Sequence, residues 1–413
     1  MNSNESLKRS FIFPLLIIIL TWPLLGGYVT LFARSWIWLL IGCLSVFFVC
    51  PSYRYQKGMV WILLYLFMVM YNYFTGDAYF NSFPVACSEF AILFFSSALG
   101  YFCLLPENRK SSKTILWVLS FIIIITSFAT FLLDLTNPGI VRQATSELFD
   151  MKDLTILNWG YRMGMTNYSL PHALPVIIPA LVYGIKNHSL NVRSRLFLSL
   201  FLFAVFMLIY VSGVATAIIV SFIVFIISFF SSTNRAQNNI QVFIIVGIIL
   251  VPILLNQQWL ADMLNYFISL TGEGYLHDRL VDILESMIYK DASGDLEARL
   301  DLYSVSSTEF AESILFGSNN NLGGHSAIID RLATMGLVGI VPYILFIGYQ
   351  LNTSYKKIPQ CAKTFYVEGI LAGLMMLITK NMSNWEMWTM LFVLLPTIIM
   401  QFGDNNRTKK INN

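Results

Sequence analysis

The residues best suited to chemistry in this chain gather around one histidine. His325 closes a turn-rich stretch, FGSNNNLGG at 316–324, and is followed by Ser326, Asp330 and Arg331 at the head of an apolar run. The ordinary pKa of histidine, about 6.5, lets it exchange a proton near neutral pH. A lone histidine at such a boundary is either a tolerated polar group or a catalytic one, and its position alone leaves both readings open. Beyond it, Ile329, Leu332 and Met335 fall at helical core spacing, and Gly336 and Gly339 permit a close helix contact or a break. Other charged groups within apolar runs are few. Glu89, Glu368, Asp330 and Arg331 all lie near the ends of their runs, where the charge is expected to reach water or head groups.

Other chemistries are excluded by missing motifs. The chain has neither a phosphate loop of the GxxxxGK[ST] type nor a GxGxxG after a strand, so a nucleotide-driven pump or kinase is not expected. No His/Cys cluster has metal-ligand spacing, and no cofactor is expected. Of the cysteines, Cys43, Cys50, Cys87 and Cys103 fall in or at the ends of apolar blocks and Cys361 lies in a connecting loop, so no disulfide is expected. A nucleic-acid partner is not expected either.

The elements that must position these residues are membrane-spanning helices. The 413 residues are 56% hydrophobic and 12% charged. Soluble domains carry about 25% charged residues, so this chain cannot cover a water-exposed surface of normal polarity. Its apolar residues come in long uninterrupted blocks. Spans are expected at 11–30, 36–50, 58–74, 84–105, 114–133, 170–186, 196–211, 213–230, 240–255, 332–351, 362–379 and 386–402. The block 195–230 is too long for one crossing and is divided at Ser212 and Gly213. Lys8 and Arg9 precede the first run as in a signal peptide, but no small-residue cleavage site follows, which favours an uncleaved span.

Basic residues alternate from loop to loop and set the orientation. Arg109, Lys110, Lys113, Arg193, Arg195, Lys356, Lys357 and Lys363 belong to the set assigned to the cytoplasm, as do both termini. The fold class expected is an all-α integral membrane protein of about twelve spans with one large extracytoplasmic loop. Residues 1–255 carry nine spans and a medium loop at 134–169, residues 256–331 the large loop, and residues 332–413 the last three spans and a cytoplasmic tail. The large loop is rich in acidic residues, and segments 280–288 and 296–310 have helical apolar spacing, so it is expected to fold on the membrane surface. No internal repeat of the transporter kind is found.

His325 and Ser326, nine intervening residues, then Gly336, Val338 and Gly339 resemble the H-[NSQ]-x9-G-x-x-G pattern of bacterial O-antigen ligases. The wider string Gly323-Gly324-His325-Ser326, with Asp330, Leu332-Ala333 and Gly336-Leu337, is more similar to the Wzy-type polysaccharide repeat-unit polymerases of the same superfamily. Arg299 in the string EARLDLYS, followed by ILFG at 314–317, fits the same pattern. The turn at 210–216 departs from the pattern in lacking the arginine that ligases and many polymerases carry between spans seven and eight, which weighs more against a ligase than against a polymerase. Arg162 with Gly164 is a partial echo of the arginine-x10-glycine motifs of some polymerases. The resemblance is architectural over the whole chain and specific over about forty residues.

The resemblance implies a glycosyltransferase of the bacterial inner membrane that makes O-antigen, capsular or exopolysaccharide. It would work on undecaprenyl-diphosphate-linked oligosaccharide within the bilayer, passing the growing chain from its carrier to the next repeat unit and releasing undecaprenyl diphosphate, with room for a chain-length regulator membrane protein as partner. Charge builds on the leaving diphosphate, and arginine suits it because its fork of donors stays protonated. His325 is the base expected for the acceptor hydroxyl and Arg299 the clamp for the diphosphate. Arg142, Arg162, Arg279 and Arg331, with Ser326 and Asp330, are the further substrate-binding candidates. Each arginine has a plainer alternative, pairing with one of the many nearby carboxylates. Rival functions are a ligase onto a lipid core and a transporter or flippase of the lipid-linked unit. The last should show paired charges or polar groups through several spans, and few are visible.

Overall fold

Long runs without charge leave a backbone in lipid no partners but its own, and helices are the local answer. The computed structural model describes residues 51–75, 83–137, 140–143, 160, 164–166, 169–187, 190–231, 295–318, 326–380 and 384–403, with seven single residues between 265 and 284. Among these, every regular element is helical. In chain order they are α1 (Met59–Thr75), α2 (Phe83–Cys103), α3 (Arg109–Thr136), α4 (Ser169–Lys186), α5 (Val192–Val211), α6 (Ala215–Phe230), α7 (Asp295–Glu312), α8 (Ile329–Lys357), α9 (Lys363–Thr379) and α10 (Trp385–Gly403). The segments containing α3, α4, α5, α8, α9 and α10 are long and apolar enough to cross a membrane, and α1, α2 and α6 contribute shorter apolar helices. Nine of the expected spans therefore coincide with helices. The other three, at 11–30, 36–50 and 240–255, lie outside the described residues.

Local chemistry explains the irregularities. Pro171, Pro175 and Pro179 remove backbone donors from α4, which passes through a 3-10 turn at Leu174–Ile177. The long block 195–230 turns at Ser212 and Gly213 as expected, and the Ser212 hydroxyl donates to the Ile209 carbonyl at 2.6 Å. In α10 a wide π turn at Thr389–Leu394 packs against α2.

α4 and α10 form the centre. Ile177, Ile178 and Leu181 of the first and Trp388, Leu391 and Leu395 of the second are buried. Large apolar side chains point outward elsewhere: Leu63 and Phe67 on α1, Phe121 and Leu132 on α3, Leu196 and Phe203 on α5. In water such a surface would be an aggregation patch; in a bilayer it faces acyl chains.

Polar contacts concentrate at the two ends of the bundle. At the end away from the head of α8, Tyr53 bonds Ser97 at 2.7 Å and receives the Gln350 amide at 3.3 Å. Asn187 donates to the Phe402 carbonyl at 2.5 Å. Glu368 there is buried, not directed to water or head groups as its position in the sequence suggests. The ends of α4, α6 and α9 converge on it: Ser228 and Ser231 donate to its two oxygens at 2.6 and 2.5 Å, and Lys186 donates to the carbonyls of Phe229 and Ser231 at 2.7 and 2.6 Å.

Those two hydroxyls carry a measurable share of stability. A buried acceptor left without its donor costs about 1–3 kcal/mol. Ser228→Ala with Ser231→Ala is expected to lower the unfolding free energy in detergent by that order for each hydroxyl removed, read as a lowered unfolding midpoint, whereas exposed Ser304→Ala should leave the midpoint unchanged.

Candidate functional site

The head of α8 is fixed by three buried polar residues. The Ser326 hydroxyl accepts the N–H of Ile329 at 3.2 Å, and the Asp330 carboxylate accepts the N–H of Ser326 at 3.0 Å. This reciprocal pairing satisfies amides that a helix start would leave open, and a carboxylate in a first turn also favours the helix dipole. The other Asp330 oxygen accepts the Ser306 hydroxyl of α7 at 3.0 Å, which fastens the outlying helix to the bundle. The N–H of Ala327 then donates to the carbonyls of Leu377 and Lys380, and the Tyr303 hydroxyl to that of Thr379, so α9 ends at the same place.

Arg331 is 1% exposed and fully engaged. Its guanidinium donates to Glu89 of α2 at 2.5 Å, to the Tyr65 hydroxyl of α1 at 3.4 Å and to the Ala327 carbonyl at 3.0 Å, and it lies 5.0 Å from the centre of the Tyr343 ring. The fork that would suit a diphosphate is here spent on protein groups. Neither Arg331 nor Asp330 reaches outward; both hold neighbouring elements.

One turn further in, α8 breaks. Gly336 takes φ 61° and ψ −168°, outside helical geometry and on the side that favours glycine. The ILFG turn that follows α7 fills the break. Leu337 and Val338 donate backbone N–H groups to the carbonyls of Ile314 and Leu315 at 2.9 and 3.0 Å, and Ser318 donates to that of Ala333 at 2.9 Å. Gly317 stands opposite at φ 76°. A Cβ on Gly336 would strike the Leu315 carbonyl, and one on Gly317 would strike that of Thr334, so each glycine makes room for the other strand of backbone. Asn72 of α1 donates to the Thr334 carbonyl at 3.2 Å and completes the junction.

Of the candidates from the sequence, Ser326, Asp330 and Arg331 are brought together. Arg299 stands on α7, and its backbone lies seven residues before Ser306. That is two helical turns in the same register, about 10 Å along the axis. Arg142 lies on a one-turn helix, Ile140–Gln143, whose Ile140 and Val141 pack with Leu133 and Met165 in a separate apolar cluster. His325, Arg162 and Arg279 lie outside the described residues. No local pattern marks Ser306, Tyr65 or Asn72 as partners, and no spacing rule links Glu89 to an arginine 242 residues away. His172, fully buried at the start of α4 where α10 packs, likewise has no sequence pattern that marks it.

Chemically, the described part is a rigid frame. It presents α7, with Arg299, beside the point where the chain arrives from His325. Among the described residues no group of three His, Cys, Asp or Glu could hold a metal ion. Comparison with family models, with characterised proteins and with solved structures finds no match.

The ion pair of buried Arg331 with half-buried Glu89 gives a test of the frame. Removing one partner of a fully buried pair strands a charge and costs about 3–5 kcal/mol, while replacing both by apolar groups costs far less; water reaching Glu89 places this pair at or below the lower end of that range. Glu89→Ala is expected to destabilise by that order, and Glu89→Met combined with Arg331→Met to recover most of it. Thermal unfolding of the purified variants measures both.

Proposed function

We propose that this protein is a membrane glycosyltransferase that polymerises oligosaccharide repeat units carried on undecaprenyl diphosphate. It does so at the outer leaflet of a bacterial inner membrane, within a twelve-span fold whose termini face the cytoplasm. The observation that carries this reading is spatial. Ser306 of α7, the ILFG turn, Ser326, Asp330 and Gly336 are scattered over about thirty residues yet lock into one unit. All of these but Ser306 are positions on which the resemblance to the polymerases rests, and Ser326 and the two glycines each have a role that few other residue types could fill.

The chemistry follows from the residues around that unit. An acceptor sugar hydroxyl attacks the anomeric carbon of the donor, and the bond from that carbon to the diphosphate oxygen breaks. The diphosphate departs on its lipid with the electron pair, held by the guanidinium of Arg299. His325 takes the hydroxyl proton and returns it to water. The leaving group is already activated, so the reaction needs no nucleoside triphosphate. A ligase would share these steps and differ only in passing the finished polymer to a lipid core.

A transporter or flippase draws support from buried Glu368 among its serines. Among the described residues, however, the charged groups stand near the ends of the spans and none at mid-depth. A proton or ion path across the bilayer would call for charges there.

His325→Asn, His325→Gln and Arg299→Lys test the proposal. The amides keep a hydrogen-bonding group but cannot take and release the proton, and loss of a general base costs about 10²–10⁴-fold in rate. Lysine keeps the charge of Arg299 without its fork. All three variants are expected to accumulate normally on an immunoblot while the glycan ladder collapses to single repeat units. Full ladders at normal protein level would remove both residues from the mechanism.

A further inference from the structure

The outlying helix α7 is too polar for a hydrocarbon layer. It carries Asp295, Glu297, Arg299, Asp301, Glu309 and Glu312. The turn that follows it has the opposite character. Ile314, Leu315 and Phe316 are 49%, 58% and 48% exposed, and they form an uninterrupted apolar triplet. Their backbone is fixed, because Ile314 and Leu315 are bonded to α8 at its break. The Phe316 ring lies 6.0 Å from that of Tyr71 on α1, and exposed Phe74 follows one turn later on the same helix. Leu337, Val338 and Val341 of α8 are exposed alongside.

The depth of this patch follows from the geometry of α8. Lys356 and Lys357 mark its far end, and Gly336 stands twenty residues before Lys356. At about 1.5 Å per residue the separation is about 30 Å, the thickness of a bilayer's hydrocarbon core. With the lysines at one boundary, the break and the turn docked on it lie at the other. Asp330 and Arg331 then fall among the head groups.

The geometry points to the turn at 314–316 as an interfacial membrane anchor, whose apolar side chains enter the acyl region and hold α7 at head-group level. Its partner is the hydrocarbon of the surrounding lipid. The inference rests on the bundle lying in a bilayer and is independent of the reaction proposed above. Its consequence is mechanical: α7 is tethered at both the Ser306–Asp330 contact and the anchored turn, so Arg299 is carried at a fixed height above the lipid.

Spin labels read this depth directly. In a cysteine-free background, Ile314→Cys, Leu315→Cys and Phe316→Cys are labelled one at a time, with Ser304→Cys on the polar helix as reference. Each protein is placed in vesicles of phosphatidylethanolamine and phosphatidylglycerol. Three separate sites are used so that one misfolded variant leaves the others informative. Labels at 314–316 are expected to collide several-fold more with oxygen, which enters lipid, than with a water-soluble nickel chelate, and the label at 304 to show the reverse. Nickel access at 314–316 equal to that at 304 would place the turn in water and overturn the inference. Exclusion of both reagents would bury it against another protein and overturn it equally.

Discussion

A helix that breaks at the edge of a bilayer frees backbone N–H and C=O groups where water is scarce, and each such group left open costs several kcal/mol. The junction at Gly336 is built around that constraint. The freed amides of Leu337 and Val338 and the carbonyls of Ala333 and Thr334 find partners in the ILFG turn, in Ser318 and in Asn72. For the turn to come so close, neither Gly336 nor Gly317 can carry a side chain. The helix break and the placing of α7 are thus one event. Either part alone would leave polar groups unsatisfied at membrane depth.

The charges near this junction are arranged to support it. Asp330 and Arg331 are adjacent in sequence but serve different neighbours, the first holding α7 through Ser306 and the second holding α1 and α2 through Tyr65 and Glu89. A guanidinium suits the second task because its several donors can serve a carboxylate, a hydroxyl and a carbonyl together, and its face can rest on Tyr343. Under the proposed reaction these residues position the site, and contact with the diphosphate falls to Arg299.

Much of this arrangement was legible in the sequence where the signal was local. The apolar spacing at 296–310 marks α7, the Ser212–Gly213 pair marks the turn between α5 and α6, and Gly336 permits a close contact or a break. What stayed hidden was long-range pairing. Glu89 and Arg331 each stand near the end of an apolar run, where a single residue reads as a charge reaching for water; only the meeting of α1, α2 and α8 makes them partners. Glu368 was concealed in the same way, because its donors arrive on α6 from 140 and 137 residues away. Composition records that a charge is present in a span but not what faces it.

The proposed reaction requires that the bundle join sugars and not merely carry them. Purified protein in proteoliposomes, supplied with a defined undecaprenyl-diphosphate-linked repeat unit, separates these directly when the products are resolved by mass spectrometry. A polymerase is expected to yield chains of two or more repeats on one lipid, with one undecaprenyl diphosphate released for each glycosidic bond formed. Recovery of every repeat unit as an intact single unit, relocated across the bilayer and with no diphosphate released, would contradict it.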